Sequence, residues 1–144
     1  MLFSKACQYA ILAMIYLAAR PPGERISIRE ISEGTDVPAP FLGKIISSLA
    51  RSDLVVARRG PNGGAMLNRT PAQVTVGDIV AAMDGPLDAR RCILGLPECS
   101  DLNPCALHSR WKVLEAQLGR DLHNLTLDEL LRTRRRPVKP DRGR

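Results

Sequence analysis

The chain has 144 residues, 44% of them hydrophobic and 3% aromatic, with a formal net charge of +6. That length allows one domain, or a small domain with an oligomerisation arm, and a core drawn from Leu, Ile, Val and Ala suits packed helices. No stretch reaches the roughly 18 apolar residues a membrane span needs, which excludes an integral helical membrane protein.

Residues 3–19 read as a long apolar helix, stopped by Arg20-Pro21-Pro22-Gly23, where proline and glycine cannot continue it. The prolines stand where a secretory cleavage site would need small residues, so a buried helix of a cytoplasmic protein is the better reading. Ser27-Ile28-Arg29-Glu30 has the form of a capping box opening a short second helix that ends near Gly34. Thr35-Asp36-Val37-Pro38 makes a turn, and a third helix follows over about 39–51. Its apolar positions Phe41, Leu42, Ile45, Ile46 and Leu49 are expected to face the core, leaving Pro40, Gly43, Lys44, Ser47 and Ser48 outward. Two short apolar runs then flank Arg58-Arg59-Gly60-Pro61-Asn62-Gly63-Gly64, the pattern of a β-hairpin. Thr75-Val76-Gly77-Asp78 opens a helix to about Met83, and residues 85–104 read as an irregular loop. A helix from about Cys105 to Leu122 and a last short one from Thr126-Leu127-Asp128-Glu129 complete the elements.

A short helix, a turn, a longer helix with a polar outer face and a hairpin is the order of a winged helix-turn-helix. The major groove of B-DNA admits one helix, and Lys and Arg around it hold phosphates. The residues expected at double-stranded DNA are Ala39, Pro40, Gly43, Lys44, Ser47 and Arg51 of the helix and Arg58, Arg59, Gly60, Pro61, Gly63 and Gly64 of the wing. Net charge does not carry this reading. Residues 132–144 hold seven basic residues against Asp141 and supply the whole excess, whereas residues 1–131 balance. That proline-containing tail is expected to be disordered. Between Val37 and Val76, however, Lys44, Arg51, Arg58, Arg59 and Arg69 face Asp53 alone. An amphipathic helix beside a solvated hairpin is the plainer alternative.

Three of the four cysteines fall within fourteen residues, as Cys92, Cys99 and Cys105, with His108 three residues on. In a reducing compartment such a group points to metal or redox chemistry before disulfides. Thiolates with an imidazole suit an iron–sulfur cluster. Zinc takes the same donors but favours close Cys-x2-Cys pairs, and metal-free redox thiols are the third reading. Cys105 and His108, at i and i+3 on an expected helix start, would point to one side. Cys7 reads as a buried small hydrophobe, Trp111 as packing, and His123 carries no role. No nucleophile–base pair, phosphate loop or paired carboxylates suggest an enzyme or a small-molecule substrate.

From about Phe3 to Leu131 the chain resembles the Rrf-type bacterial iron–sulfur regulators, whose members include IscR-, NsrR- and RirA-like proteins. Tyr9-Ala10, Arg59-Gly60-Pro61-Asn62-Gly63-Gly64 and the three-cysteine loop carry the resemblance. Asp88-Ala89-Arg90-Arg91-Cys92, Cys105–Trp111 and Asn124–Leu130 are most like the IscR-like members. The resemblance implies a cluster-dependent DNA-binding transcriptional regulator, a repressor or activator, working as a homodimer through the helix after the cysteine loop. It implies a 2Fe–2S cluster on Cys92, Cys99, Cys105 and His108. The NsrR-like alternative is a 4Fe–4S nitric-oxide sensor whose fourth ligand comes from the partner's first helix; Gln8 there is a poorer ligand than a carboxylate. A cluster-carrying electron-transfer or scaffold protein would need no helix-turn-helix. Two departures matter. The Cys92–Cys99 gap is one residue longer than in IscR-like members, and Gly43 and Lys44 replace their acid- or amide-bearing residues. Lys44 can donate to guanine or phosphate but cannot read adenine bidentately.

The expected architecture is therefore mainly α, a winged helix-turn-helix with a small β-hairpin wing plus a long C-terminal dimerisation helix. Residues 1–84 form the DNA-binding domain, 85–104 the cluster loop, 105–131 the dimerisation and closing helices, and 132–144 the basic tail.

Overall fold

The computed structural model describes residues 2–87 and 92–133. The Asp88–Arg91 segment and the basic tail from Arg134 onward lie outside the described residues.

Six helices and one hairpin follow in the order α1 (Lys5–Ala18), α2 (Ile28–Thr35), α3 (Ala39–Arg51), β1 (Val55–Arg58), β2 (Gly64–Leu67), α4 (Val76–Asp84), α5 (His108–Asn124) and α6 (Leu127–Thr133). A short 3-10 turn, Pro71–Gln73, precedes α4 and was not expected. Helix starts follow capping chemistry, because the first turn leaves backbone N–H groups without partners. Ser4 accepts from Cys7 N at the start of α1, Ser27 from Glu30 N at α2, and Thr75 exchanges bonds with Asp78 in a full capping box at α4. Glu30 places its carboxylate 3.8 Å from Arg20.

α1 is the spine of the domain. Ala10, Ala13, Met14 and Leu17 are buried along it, against Ile31 of α2, Leu42, Ile45, Ile46 and Leu49 of α3, and Ile79 of α4. The small residues let neighbouring helices approach, and burial of the branched ones supplies the driving force at roughly 25 cal/mol per Å² of apolar area. α3 matches the expected span. Phe41 does not match its expected place: it is 56% exposed, while the other four apolar positions of the helix are buried.

β1 and β2 pair antiparallel, with Val55 opposite Leu67 and Arg58 opposite Gly64. Ile26 adds a third short rung, exchanging 2.9 and 2.8 Å bonds with Ala65, and so ties the root of the wing to the segment before α2. Thr75 and Thr126 bridge similarly and fix the start of α6 beside α4.

Two expectations at the C-terminal side need correction. α5 begins at His108, with Leu107 as a cap that makes no side-chain bond, so Cys105 and Pro104 precede the helix. The chain turns once there, His108 N bonding Cys105 O at 3.1 Å, before regular helix starts. The tail also begins later than residue 132: Arg132 and Thr133 complete α6, and Arg132 pairs with Asp128 at 2.8 Å. Among the described residues no helix is long and apolar enough to cross a membrane.

Candidate nucleic-acid interface and cysteine site

α3 and the wing bound an open groove. Its lining includes Pro40, Gly43, Lys44, Ser47 and Arg51 from the helix and Arg58, Arg59, Gly60, Pro61, Gly63 and Gly64 from the wing. The fold thus brings together eleven of the twelve residues singled out in the sequence. Ala39 lies exposed at the start of α3, outside the lining. Ser27, Ile28, Ser48 and Ala57 also line the groove. Ser48, expected to face outward, shares a stripe with Lys44 and Arg51; its hydroxyl accepts from Arg51 at 3.0 Å. No acidic residue lines the groove, so its charged side chains, Lys44, Arg51, Arg58 and Arg59, are all cationic, as a phosphate-lined partner requires.

The wing glycines answer first to the chain itself. Gly64 has φ +141°, and a Cβ there would lie 2.2 Å from the Ile26 carbonyl oxygen. At Gly63 it would lie 2.3 Å from the Arg58 carbonyl oxygen. Both positions need glycine to close the hairpin, whatever the groove receives.

The cysteine site lies between α4 and α5. Cys92, Cys99 and Cys105 are half-buried with free thiols, and His108 is buried at the first residue of α5. Cys99 Sγ stands 3.3 Å from His108 Nδ1, and the other ring nitrogen, Nε2, is 2.7 Å from Asp101 Oδ1. A donor bond from Nε2 to the carboxylate leaves Nδ1 with a lone pair facing the thiol. Partial burial raises the Cys99 thiol above its ordinary range; Lys112 opposes this, and Cys92, Glu115 and Cys105 reinforce it. The three thiols therefore share one electrostatic neighbourhood. Asp101 is held below the usual carboxylate range by its bond to His108. Lys112 reaches Glu115 at 3.2 Å, which offsets the charge of that buried carboxylate.

Among the described residues no three His, Cys, Asp or Glu side chains converge as on a single ion. A cluster makes a different demand, since its ligands divide over more than one iron. Soft thiolates with one neutral, oriented imidazole are donors that fit it. Asp101 was not singled out in the sequence, because an acid seven residues before a histidine in a loop carries no periodic signal.

Trp111, Cys7 and His123 serve packing around α4 and α5. Trp111 is half-buried beside Leu2, Phe3, Leu87 and Glu115. Cys7 is fully buried, as expected. His123 packs on Gly77, where a Cβ would meet its Nδ1 at 2.2 Å, so it serves α4–α5 contact. Asp84, the last residue of α4, accepts from Ser4 N at 2.8 Å and from the Ser4 hydroxyl, joining the edge of the cysteine loop to the start of α1.

Comparison with known proteins identifies the family. Residues 3–133 match the Rrf2 family, described as an iron-dependent transcriptional regulator. The IscR transcriptional regulator of Cronobacter sakazakii is 33% identical over 124 residues, covering 86% of this chain and 76% of that protein. Among solved structures, T. potens IscR aligns with TM-score 0.69 and 26% identity over 90% of this chain and 85% of that one. CymR, the global cysteine regulator of B. subtilis, aligns with TM-score 0.75 and 24% identity over 92% and 97%, a likeness of fold. The chain belongs to the Rrf2 family of winged-helix, DNA-binding transcriptional regulators, with IscR among its relatives.

Proposed function

We propose that this regulator works as a homodimer whose operator binding depends on an iron–sulfur cluster, 2Fe–2S, held by Cys92, Cys99, Cys105 and His108. The observation that carries this reading is the 3.3 Å approach of Cys99 Sγ to His108 Nδ1, with Cys92 and Cys105 in the same field. Asp101 fixes the imidazole tautomer, as carboxylates do behind metal-bound histidines. When bound, the cluster supplies a redox-active inorganic centre whose presence or state reports on the cell.

The protein's own residues do the rest. Pro40, Gly43, Lys44 and Ser47, with Ala39 at the helix start, present α3 to base edges. Arg51, Arg58 and Arg59 hold phosphates, and Gly60, Pro61, Gly63 and Gly64 shape the wing. On this reading residues 1–84 read DNA, the loop up to Leu107 holds the cluster, and α5 pairs the protomers through Val113 and Leu114, which are 69% and 61% exposed. The loop joins α4, tied through Asp84 to α1, with α5 at the dimer seam. A change in ligation can therefore alter the spacing of two wings. To switch, the cluster must favour one of the two geometries over the other. Work at DNA belongs to the reducing cytoplasm, acts by binding rather than catalysis, and keeps the thiols ready as ligands.

The test is anaerobic purification with iron and acid-labile sulfide counts, followed by operator binding of loaded and chelated protein at one salt concentration. We expect about two irons per protomer and affinities that differ about tenfold or more. About four irons would transfer the reading to the NsrR-like 4Fe–4S arrangement. Colourless, iron-free protein with unchanged affinity would overturn it.

A further inference from the structure

Phe41 occupies the first turn of α3 yet stays 56% exposed, while Leu42, Ile45, Ile46 and Leu49 fill the core side of the same helix. Spacing explains where it points. Phe41, Lys44, Ser48 and Arg51 follow at i, i+3, i+7 and i+10, one stripe along the helix surface. The last three line the groove with the wing, so Phe41 is the N-terminal end of that stripe. Its ring lies 6.1 Å from Tyr9 on α1, tilted by 60°, and Lys5 Nζ lies 5.1 Å above the Tyr9 ring. Neither α1 nor α3 contains an acidic residue. The N-terminal end of that stripe thus offers an apolar ring packed on Tyr9, whose own ring carries the Lys5 ammonium.

We propose that Phe41 reads the 5-methyl group of a thymine at the edge of each half-site, with Lys5 holding a neighbouring phosphate; this rests on the reading that α3 enters the major groove. N-terminal residues of a recognition helix meet base edges. A phenyl ring cannot hydrogen-bond, and the thymine methyl is the apolar feature that groove displays. Tyr9 buttresses the ring, so little side-chain freedom is lost when DNA binds. Lys44, one turn on, supplies hydrogen bonds to guanine or phosphate. The two residues together specify a different pattern from a helix that reads with amides alone.

The experiment selects an operator from a randomised duplex library with the full-length protein. Each thymine is then replaced by deoxyuridine, one position at a time, and binding is measured by competition at fixed salt. One thymine per half-site should weaken wild-type binding about fourfold when its methyl is removed, the factor a buried methyl corresponds to. Phe41→Ala should bind the thymine operator more weakly and show no further loss at that position, and Phe41→Leu should keep part of the sensitivity. Lys5→Ala should weaken all duplexes alike and flatten the salt dependence. The inference fails if no thymine shows methyl sensitivity, if Phe41→Ala keeps it in full, or if that variant weakens every duplex equally. Lys44→Ala and Arg59→Ala separate the two levels. Unchanged binding in both overturns the groove reading itself, whereas loss in both without coupling at Phe41 overturns this inference alone.

Discussion

Cys7 lies fully buried in a cluster with Val76, Val80 and Leu122, and burial, with Asp84 adding to it, pushes its thiol up to about 12. The thiolate is the nucleophile, so Cys7 should be inert in the folded protein at neutral pH, although it is chemically the same group as the loop cysteines. In protein stripped of iron, iodoacetamide at about pH 8 should modify Cys92, Cys99 and Cys105 and reach Cys7 only after denaturation, as read by peptide mass spectrometry. Rapid native modification of Cys7 would show that the first helix opens. The sign of the pH effect follows from the raised value. The fold favours the protonated thiol, so this contribution is complete below the ordinary 9.0 and is lost as pH climbs towards about 12. Replacing Cys7 by Ala should reduce that alkaline loss. Asp101 is the opposite case, a side chain 90% exposed that bonds the buried His108. Asp101→Ala should leave thermal stability within about 0.5 kcal/mol. Cluster retention under chelator challenge should fall about 10- to 100-fold, the usual effect of removing a partner behind a ligating histidine. Unaltered retention would remove Asp101 from the site.

At the scale of elements, the wing depends on contacts that a side chain at Gly64 would destroy. Gly64→Ala puts a Cβ against the Ile26 carbonyl at a positive φ and disturbs the two Ile26–Ala65 bonds. It should cost about 2 kcal/mol or more in urea unfolding, and a loss below about 0.5 kcal/mol would contradict the rigid wing root. Asp84→Ala releases both groups of Ser4 at the start of α1 and should cost about 1–2 kcal/mol. A double-mutant cycle with Ser4→Ala should show coupling limited to the hydroxyl–carboxylate bond, because alanine keeps the backbone N–H bond to Asp84 and separately loses the cap on Cys7 N. The contrast between these elements explains what could be read from sequence. α3 and the hairpin were legible because their signals are local: 3.6-residue periodicity, and glycine and proline at the turn. The Ser4–Asp84 tie spans 80 positions and leaves no local pattern. Phe41 was misplaced because it falls at the edge of the apolar arc, where burial is decided by whether a neighbour covers it. The start of α5 was set too early because Pro104 resembles a helix opening, while the chain needs one more turn to bring His108 to Cys99. Cysteine spacing marked the candidate ligands, but not the carboxylate that orients one of them.

For the whole molecule, the proposed dimer and the proposed DNA contact stand or fall through one face of α5. Val113 and Leu114 are exposed side by side, with Gln117 and Asp121 on the following turns of the same face. An apolar pair flanked by polar groups has the composition of a small helix–helix seam. Leu114→Glu would bury an unpaired charge at such a seam, which costs far more than the contact removed. Sedimentation at micromolar concentration should then show monomer in place of dimer, with the helical content of the folded protomer retained. The DNA consequence follows from charge. Each protomer brings Arg51, Arg58 and Arg59 to its groove and Lys5 beside it, so a dimer neutralising about eight phosphates should show a log–log salt slope near −7, and a monomer about half that. Affinity should fall by about 100-fold or more, because the second half-site no longer benefits from being tethered to the first. A Leu114→Glu protein that stays dimeric would place the seam elsewhere on the molecule. One that becomes monomeric but keeps the full slope would mean that a single protomer makes all the phosphate contacts, and that the cluster cannot act by changing the distance between two wings.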